Sequence, residues 1–188
     1  MRDGTETRER IETTARRLFV EKGIAETSIR DIAKAARISQ GAMYNHFASK
    51  EDLAWHLFST SYSEFGNELA RLAHAERGIE AKFRAMIGHV FRRFDEDPVY
   101  VTYVFFARHM HLRRITSRMG NPYMAFRTVI SAAVRAGELP RWEPDLAASL
   151  VIGAVIQVID TRILGTMDGT LARHIDRVAA ACAGLLQG

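Results

Sequence analysis

The most restrictive feature of this sequence is the scarcity of residues that break helices, combined with a lack of strand-like alternation. Proline occurs only at positions 98, 122, 140 and 144, and no stretch alternates polar and apolar residues over the length of a strand. Apolar residues recur instead at intervals of three and four, which is the spacing that lines one side of an α-helix. The sequence therefore predicts an all-α fold.

Nine helices are predicted from this periodicity, three short ones followed by six longer ones. The first ends at Gly23, a residue type that commonly terminates helices. The second begins at Thr27, which we expect to be its N-cap. The third begins after a second cap, Ser39, and turns Met43 and Phe47 inward.

The break between the short and the long helices predicts two domains. Residues 1–50 form the first, and residues 51–188 form the second, linked by a fourth helix that starts near residue 50. Among the later helices we expect an aromatic one over residues 99–112 and a final one over residues 171–186.

Positive charge is concentrated at the N-terminal end of the chain. The net charge of the 188 residues is +4. Residues 1–50 hold 10 Lys and Arg against 7 Asp and Glu, whereas residues 51–188 hold 16 against 15. An anionic partner is therefore expected at the N-terminal domain.

Cysteine usage and hydropathy favour a soluble protein of the cytoplasm. Cys182 is the only cysteine, which excludes an internal disulfide and fits a reducing compartment. The longest uncharged run, residues 146–159, is shorter than the roughly 18 residues that a membrane span requires. The first residues are too polar for a signal peptide. We therefore expect no membrane partner.

The stretch ISQGAMYNHFASKEDL, residues 38–53, is unusual for a surface helix. Gly41 lies inside the predicted third helix, where glycine costs roughly 1 kcal/mol relative to alanine. Two short helices joined by a short turn, with another helix behind them, form a helix-turn-helix. Its second helix enters the DNA major groove, and a glycine there lets the backbone approach the bases closely.

The side chains around Gly41 suit both kinds of DNA contact. Gln40 can bond adenine through its amide, Ala42 can touch a thymine methyl, and Ser39 can donate to either. One turn further along, side chains of suitable length and the start of the fourth helix can reach phosphate oxygens. These candidates are Tyr44, Asn45, His46 and Lys50. The alternative is that Tyr44 and His46 only cover the edge of the core.

Two stretches resemble the TetR family of bacterial transcriptional regulators. They are residues 27–53, TSIRDIAKAARISQGAMYNHFASKEDL, and the preceding ARRLFVEKGIAETS. The resemblance implies a repressor that binds a palindromic double-stranded DNA operator as a homodimer and responds to a small-molecule effector. It further implies base contacts from Ser39, Gln40, Gly41 and Ala42. The phosphate contacts that it implies are Thr27 or Ser28, Tyr44, His46 and Lys50. Arg30, on the exposed side of helix two, is a further candidate.

Two residues depart from the family pattern. The family usually has glycine in the turn where this chain has Arg37. Either the turn accepts an arginine in a left-handed conformation, at about 1 to 2 kcal/mol, or its geometry differs. Arg37 can then contact a phosphate of its own. Asn45 stands where the family often has a larger aromatic or basic residue, which leaves the operator contacts open.

The family architecture implies that helices four to seven enclose an effector pocket. Aromatic and flexible residues on the middle helices are the candidates for its lining, although most residues of this kind are core. They suggest a mostly apolar ligand. The candidate set is Trp55, Phe58, Tyr62, Met86, Val90, Tyr103, Phe106, Met110, Tyr123 and Phe126.

The same architecture implies that the last two helices pair with a second copy of the chain. The penultimate helix is apolar on more than one side and rich in small residues, as expected for a helix that touches its own core and a partner. A central core helix of a monomer would show the same pattern. The candidate interface residues are Leu146, Leu150, Val151, Ala154, Val158, Ile175, Val178, Cys182 and Leu185.

Catalytic and metal sites are not expected. His109 and His111 in RHMHLRR lie about 200° apart on a helix and cannot chelate one ion together. We find no paired carboxylates, glycine-rich phosphate loop or nucleophile motif, so neither an enzyme nor a cofactor is predicted. The alternative to a ligand-responsive regulator is a DNA-binding protein without ligand control, such as a constitutive repressor or a nucleoid-associated factor, whose core would be filled.

Overall fold

The computed structural model describes residues 2–116 and 119–187, and these residues contain α-helices, two 3-10 turns and no strand. The α-helices are α1 (Arg2–Lys22), α2 (Ile29–Ala35), α3 (Gln40–Tyr44), α4 (Lys50–Ala75), α5 (Ile79–Glu96), α6 (Pro98–Phe106), α7 (Arg108–His111), α8 (Pro122–Arg135), α9 (Pro144–Ile163) and α10 (Ile175–Gln187). The 3-10 turns are Leu112–Arg114 and Leu171–His174. The predicted all-α class is confirmed.

The chain divides into two compact units. The first is Met1–Ser61 with Thr102–Ile115, and the second is Tyr62–Val101 with Thr116–Gly188. Helix α4 contributes residues to both. The predicted boundary between residues 50 and 51 stays a prediction.

The first unit holds α1, α2 and α3 around a small apolar core. Ile11, Ile32 and Met43, from α1, α2 and α3, are completely buried, and Phe47 is nearly so. Gly23 has a φ of +85°, so it ends α1 in the left-handed conformation that glycine adopts without strain. The predicted inward residues of helix three and the end of helix one are therefore confirmed.

The second unit is built on α5, which packs against α8, α9 and α10. Four phenylalanine side chains are fully buried in it, Phe65, Phe83, Phe91 and Phe126. Phe83 and Phe126 lie in ring contact, with 6.2 Å between centroids. Burial of aromatic rings contributes most of the apolar area that stabilises a core of this size.

The expected N-cap of the second helix lies one residue later than predicted. Ser28 is the cap, and its Oγ accepts a hydrogen bond from the amide of Asp31 at 3.1 Å. Thr27 is 1% exposed, and its hydroxyl donates to the carbonyl of Gly23 at 2.8 Å. Thr27 therefore fastens the loop after α1 and does not cap α2.

The aromatic helix predicted over residues 99–112 is interrupted. α6 ends at Phe106 and α7 is one turn long. At this junction the amide of Met110 bonds to the carbonyl of Ala107, three residues earlier, which is the tighter 3-10 pattern. Apolar residues continue past the break at Met110 and Leu112, so hydrophobic periodicity does not reveal the change in winding.

The final helix also begins later than predicted. Residues 171–174 form a 3-10 turn, and α10 starts at Ile175. The carboxylate of Asp95, on α5, accepts hydrogen bonds from the amides of Leu171 at 2.8 Å and Ala172 at 2.9 Å. This cap comes from a residue 76 positions earlier, so local sequence could not indicate it.

Among the described residues, α9 alone is long and apolar enough to cross a membrane, with a mean hydropathy of 1.7. Core helices of soluble proteins meet the same criteria. One side of α9, including Ala147, Val151 and Val155, is buried within the second unit. This packing is typical of a core helix.

Candidate functional sites

The start of α2 is fixed by a reciprocal capping arrangement. Ser28 Oγ accepts from the amide of Asp31, and the amide of Ser28 donates to Asp31 Oδ2 at 3.0 Å. The hydroxyl of Ser28 also donates to Asp31 Oδ2, at 2.6 Å, and the hydrogen bonds from this hydroxyl and from the Ser28 amide lower the pKa of the Asp31 carboxyl. Because this pKa is lowered, the stabilisation from the hydrogen bonds to the Asp31 carboxylate is fully present above the usual carboxyl range. It is lost as the pH falls through the lowered pKa.

The turn between α2 and α3 contains a strained residue. Arg37 has a φ of +56°, and its side chain is exposed. Its amide donates to the carbonyl of Lys34 at 3.2 Å, and the amide of Ile38 donates to the carbonyl of Ala33 at 3.0 Å. This is the left-handed termination that glycine usually supplies. The first of the two sequence-based alternatives is confirmed, because the turn keeps its geometry and accepts an arginine.

Helix α3 presents small and polar groups to the outside. Ser39 caps it, with Oγ accepting from the amide of Ala42 at 3.0 Å, as predicted. Gln40 and Gly41 are exposed. A Cβ added at Gly41 would meet only Ser39 Oγ, at 3.8 Å, and Gly41 is not among the residues with positive φ. Neither packing within the chain nor backbone conformation accounts for this glycine.

The residues predicted to contact phosphate differ in how exposed their side chains are and in whether those side chains are already hydrogen-bonded within the chain. Tyr44 is 56% exposed, and Arg30 and Asn45 are also exposed. Lys50 donates from Nζ to the carbonyl of Ala25 at 3.1 Å, so it holds the loop after α1 as well as carrying a charge.

Thr27 and Ser28 were expected to share one phosphate contact. Thr27 is buried and its hydroxyl is bonded inside the unit, so it lies away from any surface that a phosphate could reach. Ser28 is exposed beside it. His46 is half-buried, so its exposure is intermediate between that of Thr27 and that of Ser28.

A cavity of about 320 Å³ lies within the second unit, between α4, the start of α5 and α8. Its apolar lining is Met124, Val129 and the alanines at 70, 73, 125 and 132. Its polar lining is Asn67, His74, Lys82, Asn121 and Thr128. The described residues that line it include no carboxylate. This combination of an apolar body with a few polar groups is typical of small-molecule sites.

One edge of this cavity is a close approach between two backbones. A Cβ added at Gly66 would lie 2.2 Å from the amide nitrogen of Asn121, and one at Gly120 would lie 2.1 Å from the carbonyl oxygen of Ser63. Asn121 then caps α8 through Oδ1, which also accepts from the hydroxyl of Tyr62 at 2.8 Å. Glycine at both positions therefore sets the distance between α4 and the start of α8.

The N-terminal sequence and the described helix pair point to one family. Residues 11–57, about a quarter of the chain, match the model of bacterial regulatory proteins of the tetR family. The regulator AcrR of Shigella flexneri is 42% identical over 64 residues, which are 34% of this chain and 30% of AcrR. The matched segments of this and the next curated relatives span about a third of their length.

Solved structures with the same fold cover nearly the whole chain. A TetR regulator from Marinobacter aquaeolei VT8 has a TM-score of 0.79 and 19% identity, over 98% of this chain and 97% of that one. FadR of Bacillus subtilis, solved with stearoyl-CoA, has a TM-score of 0.74 and 17% identity over 93% and 97%. RolR, solved with resorcinol, has a TM-score of 0.62 and 23% identity over 98% and 89%. At these identities the likeness shows the fold alone. The named relatives are transcriptional regulators.

The ten residues predicted to line the effector pocket are divided between the two units. Half of them belong to the first unit, namely Trp55, Phe58, Tyr103, Phe106 and Met110. The other half belong to the second, namely Tyr62, Met86, Val90, Tyr123 and Phe126. The 320 Å³ cavity is lined by none of them. Three of the first group, Tyr103, Phe106 and Met110, line a smaller cavity of about 160 Å³. The predicted set stays a prediction.

The cavity residues that sequence reasoning missed are small or cationic rather than aromatic. Lys82 was the one member with a sequence signal, because it is the only lysine after residue 50. The alanines and Gly66 carry no such signal, since a cavity wall of small residues resembles any helix contact. His111, considered as a metal ligand, instead stacks on Phe58 with 4.8 Å between ring centroids, while His109 is exposed.

The predicted interface residues divide into an exposed face and core positions. Leu146, Leu150 and Leu185 are 51%, 38% and 48% exposed, and Ala154, Val158, Ile175 and Val178 are half-buried. Val151 and Cys182 are buried in the chain's own core, because they lie on the opposite side of their helices, and they present no surface to a partner. Small residues are also exposed on these two helices, namely Gly153 on α9 and Ala180, Ala181 and Gly184 on α10.

Proposed function

We propose that this chain is a cytoplasmic transcriptional repressor of the TetR family that binds a palindromic operator as a homodimer and is released by a small, mostly apolar ligand. The observation that carries the DNA-binding part is Gly41, an exposed glycine inside α3 that nothing in the chain requires. Close approach to DNA accounts for it, because the first residues of a recognition helix face the base edges.

The contacts around Gly41 follow from exposure and donor chemistry. Gln40, Ala42 and Ser39 at the start of α3 read bases. Tyr44 and Arg30, both exposed, hold phosphates on either side of them. Arg37 adds a positive charge at the turn, where its left-handed backbone points the side chain into solvent.

The homodimer is supported by the exposed face of α9 and α10. Leu146, Leu150 and Leu185 are large apolar side chains in contact with solvent in the single chain. The exposed glycine and alanine residues of these two helices let helices of a second copy approach closely, as in four-helix interfaces. Two-fold symmetry of this pairing would place two α3 helices on the half-sites of a palindrome.

Ligand control is supported by the cavity of about 320 Å³. A constitutive DNA-binding protein, whose core would be filled, does not need such a cavity. Helix α4 begins at Lys50, beside the DNA contacts, and carries Gly66, Asn67 and His74 in the cavity wall. A ligand that favours another position of α4 shifts the population away from the DNA-binding state. FadR and RolR, which share the fold, were solved with ligands.

Selection of bound duplexes from a random DNA library tests the central part of this proposal. We expect an inverted repeat to be enriched at near-physiological salt, and light scattering to give twice the 21.2 kDa mass of one chain. A monomer in solution, or selection of unrelated sequences, would contradict the proposal. Leu185→Asp is the matched variant, which should give monomers and lose the inverted repeat while α3 is unchanged.

A further inference from the structure

The 320 Å³ cavity of the second unit carries an inference about the chemistry of its ligand, which rests on the proposed function of a ligand-responsive regulator. Its charged lining residue is Lys82, with His74 as a second basic group. Among the described residues, no carboxylate forms an ion pair with Lys82, whereas Arg84, two residues later on the same helix, pairs with Asp176 at 3.1 Å.

The position of Lys82 in its helix is unfavourable for a cation. It is the fourth residue of α5, near the positive end of the helix dipole. A cation at that end costs some tenths of a kcal/mol unless an anion lies nearby. Lys82 is half-buried and lines the cavity, whose apolar part is formed by the alanines, Met124 and Val129. A bound anion would relieve this repulsion.

The remaining polar groups complete an anion site. Oδ1 of Asn121 is engaged by Tyr62 and by the amides of α8, so its amide nitrogen is the group left to donate. Thr128 supplies a hydroxyl and Asn67 a carboxamide. Hydrogen bonds from such groups to a charged oxygen are stronger than those to a neutral one.

The volume of the cavity limits the size of the ligand. About 320 Å³ lies at the lower end of the range for small-molecule sites. It corresponds to roughly ten water molecules at ~30 Å³ each. A fatty acyl-CoA, with a nucleotide, a pantetheine arm and a long acyl chain, does not fit in it. A ring or short chain with one acidic group does.

We propose that the cavity between α4, α5 and α8 binds a small carboxylic acid with an apolar body, whose carboxylate pairs with Lys82 while the body lies against Met124 and Val129. The acid is bound as its anion at neutral pH. The neutral analogue of the same shape keeps the apolar contacts and loses the charge pair.

Isothermal titration calorimetry of the full chain with three matched acid and alcohol pairs tests this proposal. The pairs are 4-phenylbutyrate with 4-phenyl-1-butanol, octanoate with 1-octanol, and benzoate with benzyl alcohol. We expect at least one acid to bind, and to bind about tenfold more tightly than its alcohol, which is the effect of one charge-assisted hydrogen bond in a partly open site.

Three variants separate the charge pair from the rest of the site. Lys82→Met should abolish the preference for the acid and leave alcohol binding unchanged. Arg71→Met, which removes one positive charge from an exposed position of α4 outside the cavity lining, should keep the preference. Ala70→Phe, which fills the cavity, should weaken the acid and the alcohol alike.

Several results would overturn the proposal. They are binding of no acid at millimolar concentration, equal binding of acid and alcohol, or a preference that survives in Lys82→Met. The effect on DNA is measured separately by fluorescence anisotropy with the selected duplex. An acid that binds with the expected preference but leaves DNA affinity unchanged would keep the site and contradict ligand release.

Discussion

Gly41 in α3 and Gly66 in α4 are both glycines inside helices, and the chain keeps them for opposite reasons. A Cβ at Gly41 would meet one side-chain atom at 3.8 Å, whereas a Cβ at Gly66 would lie 2.2 Å from the backbone nitrogen of Asn121. Gly66 is therefore required by packing within the second unit. Nothing described in the chain requires Gly41, and we propose that close approach to DNA does.

The largest effect is expected at Gly66. Gly66→Ala forces the backbones of α4 and residues 120–121 apart, and we expect it to lower the free energy of unfolding by about 3 kcal/mol, as overpacking at a backbone contact does. Urea denaturation followed by circular dichroism measures this. Gly4→Ala is the control, because a Cβ at Gly4 meets nothing within 4 Å. An unchanged midpoint for Gly66→Ala would show that this approach is not fixed.

Removal of the Tyr44 side chain should cost DNA affinity and leave the fold intact. Tyr44 is 56% exposed, so Tyr44→Ala is expected to weaken DNA binding about tenfold with little change in unfolding midpoint. Anisotropy titrations at several salt concentrations measure this. Tyr44→Phe, which removes only the hydroxyl, should account for most of the loss if that group donates to a phosphate. Wild-type affinity in Tyr44→Ala would place α3 with its other face toward DNA.

The turn at Arg37 gives a smaller effect in the opposite direction. Arg37 occupies a left-handed conformation that costs a non-glycine residue about 1 to 2 kcal/mol. Arg37→Gly should raise the free energy of unfolding by about 1 kcal/mol, after the added entropy of the unfolded chain is subtracted. Arg37→Ala keeps the strain and should not stabilise. Both variants remove the charge, so equal losses of DNA affinity would identify a phosphate contact.

The smallest effect concerns Cys182, which the sequence assigned to the dimer interface. Burial raises the pKa of this thiol to about 11. A raised pKa stabilises the fold below the ordinary thiol value of 9.0, and this contribution is lost as the pH rises to about 11. We expect the native protein to react with a chromogenic disulfide reagent at pH 8 far more slowly than the urea-unfolded chain. Equal rates would place the thiol at the surface.

The helix pair could be predicted from sequence, and the cavity could not, for a physical reason. Caps and turns such as Ser39 and Arg37 act within a few residues, so their chemistry is visible in one short stretch. The cavity depends on Gly66 meeting Asn121, 55 residues later along the chain. Large side chains such as Phe83 and Phe126 fill the core, whereas small residues form much of the wall of this cavity.

Errors at the ends of elements have the same origin. Thr27 and Ser28 are adjacent and both are good caps, and only the hydroxyl bond of Thr27 to Gly23 decides between them. The start of α10 depends on Asp95, a residue of another helix. Local preference was correct for element type in each case, and contacts between elements set the boundary.

The most direct test of the central claim is one substitution with two measurements, Gly41→Ala. Because the added Cβ meets nothing in the chain, we predict that the protein unfolds at an equal or higher urea concentration, since alanine favours helix by up to about 1 kcal/mol. In the same preparation, affinity for the selected operator should fall by about tenfold or more, because the methyl group prevents close approach. Unchanged operator affinity with unchanged stability would contradict the assignment of α3 as the helix that reads DNA.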